Sequence, residues 1–205
     1  MAEPRTRRAR IGSAPNMLGV ARMAATPVVC ALVLIAAPGM GLAAFVVFGL
    51  AALTDWADGW LARRRDEVSA LGIFMDLTAD KVLVAGVLIA MVEVGLLPTW
   101  MVATIIVREI VVSGVRQVAA AANLVIPAGW LGKGKTATTL AGMAFLLLAW
   151  DAMTAGPLAG TGAGEAIRLI GWWVMVVATA LTLLSGFSYL RGALPVLRGD
   201  GQRPT

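Results

Sequence analysis

The sequence predicts an all-α membrane protein with six transmembrane helices, and three observations support this fold class. Of the 205 residues, 59% are hydrophobic and only 14% are charged, whereas a soluble domain carries about a quarter charged residues. The mean hydropathy of the chain is +0.83. The apolar residues also lie in long blocks instead of short amphipathic stripes, which is the pattern of a polytopic membrane protein.

Six apolar blocks, each near the ~20 residues that cross the hydrocarbon core, define the predicted helices. They cover residues 16–37, 41–62, 71–94, 99–121, 134–154 and 167–190. Pro38 and Gly39 separate the first two blocks, and a glycine-rich run between the last two predicts a flexible outer loop. The predicted organisation is a basic N-terminal juxtamembrane segment, one six-helix domain and a short C-terminal tail, at residues 1–15, 16–191 and 192–205.

The basic residues are distributed unevenly between the two sides that six spans would define. One side carries Arg5, Arg7, Arg8, Arg10, Arg63, Arg64, Arg65, Arg116, Lys133, Lys135, Arg191, Arg198 and Arg203. The other side carries Arg168 with Glu93, Asp151 and Glu165. The positive-inside rule therefore predicts that both termini are cytoplasmic, in a protein of the cytoplasmic (inner) membrane. The net charge of +5 lies at helix ends, which favours anionic membrane lipids as partners over nucleic acid.

Two scarce residue types narrow the chemistry. A single cysteine, Cys30, leaves no intramolecular disulfide to form, and the chain contains no histidine. Neither a typical zinc site nor a histidine general base is therefore expected.

Two pairs of aspartates are the most informative motif of the chain. Asp55 and Asp58 are three residues apart, and Asp76 and Asp80 are four apart, so each pair projects from one face of its helix. Four carboxylates converging at a membrane surface would repel each other unless cations lay between them. Oxygen-only clusters suit hard divalent ions such as Mg²⁺ or Mn²⁺, and these ions suit a diphosphate substrate.

The second aspartate pair lies inside an apolar block, where an ionised group is costly and usually has a function or a partner. Lys81 follows Asp80 directly. Because successive residues of a helix point about 100° apart, we do not expect Lys81 to neutralise Asp80.

Written as spacing, the motif D-x2-D-G-x2-A-R-x8-G-x3-D-x3-D resembles the signature of the CDP-alcohol phosphatidyltransferase family. The resemblance implies a six-helix fold, a homodimer, and two divalent cations, Mg²⁺ or Mn²⁺, held by Asp55, Asp58, Asp76 and Asp80. It also implies that Asp80 is the general base that deprotonates the acceptor alcohol. The positive-inside rule places this active site on the cytoplasmic side. Residues matching family positions that contact the CDP-lipid are Gly59, Arg63 and Ser69.

Basic residues further along the chain predict a binding site for the phosphate of the acceptor. Arg108 and Arg116 lie within about 80° on a helical wheel, and Lys133 and Lys135 lie beside the start of the fifth helix, where an anion is favoured. Sequence neighbours on a helix do not face each other, so we expect Arg108 to be available instead of paired with Glu109.

The segments around these cations, 108–116 and 132–136, resemble phosphatidylglycerophosphate synthases, a branch of the family. This branch joins CDP-diacylglycerol to sn-glycerol 3-phosphate, giving phosphatidylglycerophosphate and CMP. In the first helix, Asn16 and Arg22 match the same branch and are predicted to help hold the CDP-lipid. Leu77 departs from the pattern, because many such synthases have proline after the third aspartate.

Two other kinds of function remain open at this stage. Another family member would use inositol phosphate or phosphatidylglycerol as the acceptor. An ion transporter would use the intramembrane charges as a conduction path; the acids gather at one face and the chain has no inverted repeat, which favours the enzyme.

Overall fold

The structure is a computed structural model that describes residues 14–65, 70–121 and 130–197, and these parts of the chain form α-helices without a strand. The helices are α1 (Ala14–Ile35), α2 (Met40–Arg65), α3 (Ala70–Glu93), α4 (Thr99–Ala121), α5 (Trp130–Met153) and α6 (Ala163–Leu197). The prediction of an all-α protein with six helices is confirmed. The predicted basic segment, apart from its last two residues, lies outside the described residues.

Most helix ends agree with the predicted apolar blocks to within four residues, and the exception is the C-terminal end of α6. This helix has 35 residues and continues to Leu197, into the segment predicted as a tail. Hydropathy falls at Arg191, which ends the apolar block, but the backbone stays helical past Gly192 and Pro195, so the end of the hydrophobic pattern does not mark the end of the helix. Between α1 and α2, the predicted break is a tight turn in which Gly39 has a φ of +81°, a conformation that favours glycine.

The six helices form a bundle whose interior consists of aliphatic and methionine side chains. α1 packs against α2 and α3, α5 packs along α6, and α2 and α4 contact α5 and α6 respectively. Leu88, Met101, Met143 and Met175 are among the fully buried side chains. The outer surface is also apolar, since side chains such as Phe187 are largely exposed. A bundle that is apolar inside and outside is suited to a lipid environment.

Two helices are long and apolar enough to cross a membrane among the residues that the structure describes. They are Gly132–Met153 and Ala163–Leu194. Two shorter apolar stretches, Gly19–Ile35 and Met40–Thr54, belong to α1 and α2. α4 has the length of a span but contains Arg108, Glu109 and Arg116, which lower its hydropathy. Six spans and the orientation of the termini therefore stay predictions.

One end of the bundle is held by an aspartate that is fully buried. Asp151, near the end of α5, accepts hydrogen bonds through Oδ1 from the backbone N–H of Leu42 (3.1 Å) and through Oδ2 from that of Leu158 (3.2 Å). Leu42 lies in the first turn of α2, where backbone N–H groups lack helical partners. A β-carbon at Gly41 would lie 2.3 Å from the Asp151 nitrogen, so only glycine allows this approach.

A second polar contact lies beside Asp151. The indole Nε1 of Trp150 donates a hydrogen bond to the carbonyl oxygen of Val33 in α1, at 3.0 Å. Together, Asp151, Leu42, Leu158, Trp150 and Val33 join α1, α2, α5 and the loop after α5. We call these five residues the closed end.

Candidate functional site

The aspartate motif lies at the opposite end of α2, around the connection to α3. Asp55 and Asp58 belong to the C-terminal half of α2, and Asp76 and Asp80 belong to the N-terminal half of α3. Since α2 ends at Arg65 and α3 begins at Ala70, a short connection keeps both pairs at one end of the bundle.

Of the four aspartates, Asp80 alone has a described side chain, and it is half-buried. The side chains of residues 55–77 lie outside the described residues. Among the side chains that the structure does describe, no three acids, cysteines or histidines gather as a metal site would require. The donor set of four carboxylates, carried by two helices at one end of the bundle, fits hard divalent cations. The metal prediction therefore depends on three aspartates whose side chains are not described.

Four of the predicted CDP-lipid residues lie on α1 and α2. Asn16 lies in α1, and Gly59 and Arg63 lie in α2, but their surroundings and Ser69 fall outside the description. Arg22 is described, and its side chain is 1% exposed, the largest side chain in the fully buried set. α1 packs against α2 and α3, the helices that carry the aspartates. A buried guanidinium on this helix is a suitable neighbour for an acidic or phosphate-binding centre.

A cavity of about 540 Å³ lies between α3, α4 and α5, within the size range of small-molecule sites. Its charged lining residues are Asp80, Lys81, Glu109 and Lys135. Its apolar lining includes Val82, Val84, Ile105, Ile106, Ile110 and Leu140. The cavity therefore combines an apolar wall with a charged region that contains the predicted general base.

Glu109 links two of the predicted phosphate-binding cations. Its Oε1 accepts a hydrogen bond from Arg108 Nη1 at 2.7 Å and another from Lys135 Nζ. The three side chains are 14% (Arg108), 27% (Glu109) and 7% (Lys135) exposed. Partial burial makes these ion pairs stronger than pairs in water, and leaving one member unpaired would be costly.

Arg108 faces α6 instead of the cavity. Its Nη2 donates to Ser185 Oγ at 3.0 Å, and its side chain packs against Gly186. The expectation that Arg108 does not pair with Glu109 is wrong. The backbone directions of the two residues do diverge, but both side chains are long enough for their tips to meet.

The other two predicted cations do not join this cluster. Arg116 lies over the ring of Tyr189 in α6, with its Cζ 5.8 Å from the ring centroid, a cation–π contact. Lys133 is exposed. Arg108 and Arg116 therefore share the α6-facing side of α4, as the helical wheel predicts, whereas Lys135 lines the cavity.

Two participants were not predicted as members of the site. Glu109 was expected not to pair with Arg108, but the structure places it between Arg108 and Lys135. Lys81 lines the same cavity as Asp80, which the angle between neighbouring side chains did not suggest. A signal for Glu109 was present in the sequence, because an acid inside an apolar helix usually has a partner.

The sequence model of the CDP-alcohol phosphatidyltransferase family matches residues 13–184. This chain belongs to that family. The predicted family membership is confirmed, and the matched range contains the four aspartates as well as Glu109 and Lys135.

Named relatives of this phosphatidyltransferase come from several bacteria. It is 35% identical to a CDP-diacylglycerol–glycerol-3-phosphate 3-phosphatidyltransferase of Pseudomonas fluorescens over 195 residues, which cover 92% of this chain and 94% of the relative. It is 38% identical to a protein of the same name from Bacillus subtilis (strain 168), over 65% of this chain and 76% of the relative. It is 34% identical to a probable phosphatidylglycerophosphate synthase of Mycobacterium tuberculosis, over 95% of this chain and 88% of the relative.

Proposed function

We propose that this phosphatidyltransferase moves a phosphatidyl group from CDP-diacylglycerol to sn-glycerol 3-phosphate in phospholipid biosynthesis. The products are phosphatidylglycerophosphate and CMP. The observation that carries the choice of acceptor is the Arg108–Glu109–Lys135 cluster on a cavity that also contains Asp80. Cations at this position suit an acceptor that bears its own phosphate. The names of the relatives, which include glycerol 3-phosphate, support the same acceptor.

The acceptor phosphate is held by Lys135, with Arg108, Arg116 and Lys133 contributing positive charge. Lys135 has the strongest support, because its side chain lines the cavity and is mostly buried. A buried ammonium is screened less by salt and water than the exposed Lys133. Arg108 contacts Glu109 from the side that faces α6.

Asp80 is the general base of the transfer. It lies on the cavity wall that Lys135 shares and takes the proton from the acceptor hydroxyl. The hydroxyl oxygen then forms a bond to the phosphorus on the lipid side of the diphosphate, and the bond from that phosphorus to the CMP oxygen breaks. General base catalysis of this kind contributes about 10²–10⁴-fold to a rate.

Asp55, Asp58, Asp76 and Asp80 would hold two divalent cations, Mg²⁺ or Mn²⁺. When bound, these ions supply neutralisation of the diphosphate and of the charge on the departing CMP. The all-carboxylate donor set at one end of the bundle supports this assignment. Further residues would hold the CDP-lipid, namely Asn16, Arg22, Gly59, Arg63 and Ser69.

The enzyme works as a six-span protein of the cytoplasmic (inner) membrane, with both termini and the active site facing the cytoplasm. Two apolar helices of spanning length and the exposed apolar outer surface support membrane insertion. The excess of arginine and lysine at the motif end of the bundle supports the orientation. A homodimer is the proposed assembly.

CMP release by the purified protein tests this function directly. Liposomes containing CDP-diacylglycerol are incubated with glycerol 3-phosphate, inositol phosphate, phosphatidylglycerol or unphosphorylated glycerol in turn. Of these four compounds, we expect only glycerol 3-phosphate to give efficient CMP release. The lipid product should carry a terminal phosphate. Equal use of inositol phosphate or phosphatidylglycerol would overturn the choice of acceptor. Ion flux without lipid turnover would favour a transporter.

A further inference from the structure

The position of Glu109 is not explained by the phosphatidyl transfer itself. A site for an anionic acceptor would be expected to exclude acids, yet Glu109 lies on the cavity wall between two cations. Its partners come from two directions, because Arg108 is fixed against α6 through Ser185 and Lys135 comes from α5. Glu109 thus connects a cation held outside the cavity with a cation that lines it.

We infer that Glu109 is a positioning residue, which fixes the Lys135 ammonium on the cavity wall for the acceptor phosphate and keeps it away from Asp80. This inference rests on the proposed function. Lysine has a flexible four-carbon side chain, so a defined position for its charge requires a fixed partner. Glu109 supplies that partner and is itself fixed by Arg108, whose position α6 determines.

The alternative partner for Lys135 is Asp80. Both residues line the cavity, and they are close enough to interact electrostatically. Without the charge of Glu109, the mostly buried ammonium would be drawn towards the carboxylate of Asp80, because a buried charge requires compensation. That pairing would remove the cation from the acceptor phosphate and occupy the proposed base. Loss of Glu109 should therefore impair acceptor use and turnover together.

The variant Glu109→Gln keeps the size of the side chain and one acceptor oxygen but removes the charge. We expect the KM for glycerol 3-phosphate to rise about ten- to a hundredfold, with a lower kcat and a KM for CDP-diacylglycerol within about twofold of the parent value. The matched control is Glu165→Gln. Glu165 also pairs with an arginine, Arg168, but is exposed, remote from the cavity and should leave both KM values unchanged.

A double-mutant cycle with Lys135→Met distinguishes positioning from independent action. If Glu109 acts through Lys135, Glu109→Gln adds nothing once the lysine is gone, and the double variant matches Lys135→Met in its KM for glycerol 3-phosphate. The double variant also removes both members of the pair, so it should be more heat-stable than Glu109→Gln alone. A further tenfold rise in KM in the double variant would overturn the inference, as would Glu109→Gln behaving like Glu165→Gln.

The two proposals fail in different ways. If the parent protein does not use glycerol 3-phosphate, the proposed function fails, and the same cycle is measured with the alcohol that the parent does use. If the parent uses glycerol 3-phosphate but the Glu109 and Lys135 effects on its KM multiply, the function stands and the positioning role is wrong.

Discussion

The two ends of the helix bundle each shield an acidic group, Asp151 completely and Glu109 in part, but they satisfy these groups in different ways. At the closed end, the carboxylate of Asp151 is 0% exposed and receives hydrogen bonds from two backbone N–H groups. At the other end, Glu109 is held by two cationic side chains on the wall of a cavity. Backbone donors have fixed positions in the fold, whereas lysine and arginine side chains can exchange one anion for another.

This difference in partners distinguishes Asp151, which stabilises the fold, from Glu109, which lies beside a ligand site. An aspartate bound by backbone groups and covered by packed residues has no room for a ligand, so its role is to fix helix ends. A carboxylate shared by cations beside a cavity leaves cationic donors that an incoming phosphate can contact. Substitutions at the closed end should therefore lower stability, and substitutions at the cavity should lower activity.

The largest effect should come from removing divalent cations. We expect excess chelator to abolish CMP release, because the four-aspartate site would lose the charges that oppose the diphosphate. Addition of Mg²⁺ or Mn²⁺ should restore it. Robust turnover in excess chelator would contradict the assignment of two metals.

Asp80→Asn should reduce turnover by about 10²–10⁴-fold, the usual contribution of a general base. The CDP-lipid should still bind, because three of the four aspartates remain. Single-turnover CMP release and binding of a labelled CDP-lipid provide the two readouts. A variant that turned over at near the parent rate would limit Asp80 to a packing role.

Lys135→Met and Arg108→Met form a matched pair on the two sides of Glu109. We expect Lys135→Met to raise the KM for glycerol 3-phosphate about ten- to a hundredfold, since a charged hydrogen bond contributes about 1.5–3 kcal/mol. Arg108→Met should have the smaller effect on this KM, because Arg108 faces α6. Titration of each substrate separately measures both values. A larger rise in KM for Arg108→Met than for Lys135→Met would place the phosphate on the α6 side of the cluster.

Asp151→Ala should destabilise the protein without changing its chemistry. Two partly buried backbone N–H groups would lose their acceptor, at a cost of about 2–4 kcal/mol in the free energy of unfolding. Thermal unfolding in detergent should show the loss, and the KM values measured well below the transition should equal those of the parent. A changed KM for glycerol 3-phosphate would mean that the two ends are not independent.

The smallest effect should come from Trp150→Phe. This change removes one neutral hydrogen bond, to the carbonyl of Val33, and keeps most of the aromatic packing. We expect about 0.5–1.5 kcal/mol of destabilisation, measured by the same thermal unfolding. A loss as large as that of Asp151→Ala would mean that the aromatic packing, and not the charge, dominates the closed end.

The helices and the aspartate motif could be predicted because their signals are local. Long apolar blocks locate the helices, and fixed spacing selects the four aspartates. The bridge from Arg108 to Lys135 could not be found in the same way, since it joins α4 to α5 and depends on side-chain length as much as on helical angle. For Asp151, the sequence likewise predicted only that it lies on the membrane side opposite most of the basic residues. Its partners, Leu42 and Leu158, donate through the backbone, so their residue types carry no trace of the contact.

The hydrogen bond that Asp151 accepts from the backbone N–H of Leu42 ties one end of α5 to α2. Asp151 and Lys135 lie on one helix, sixteen residues apart, which corresponds to about 24 Å. With one end of α5 fixed, a rotation of the helix by about 5° would displace its other end by about 2 Å. A displacement of that size is enough to make or break a hydrogen bond. With that end fixed, a small tilt of α5 would be enough to decide whether Lys135 reaches Glu109.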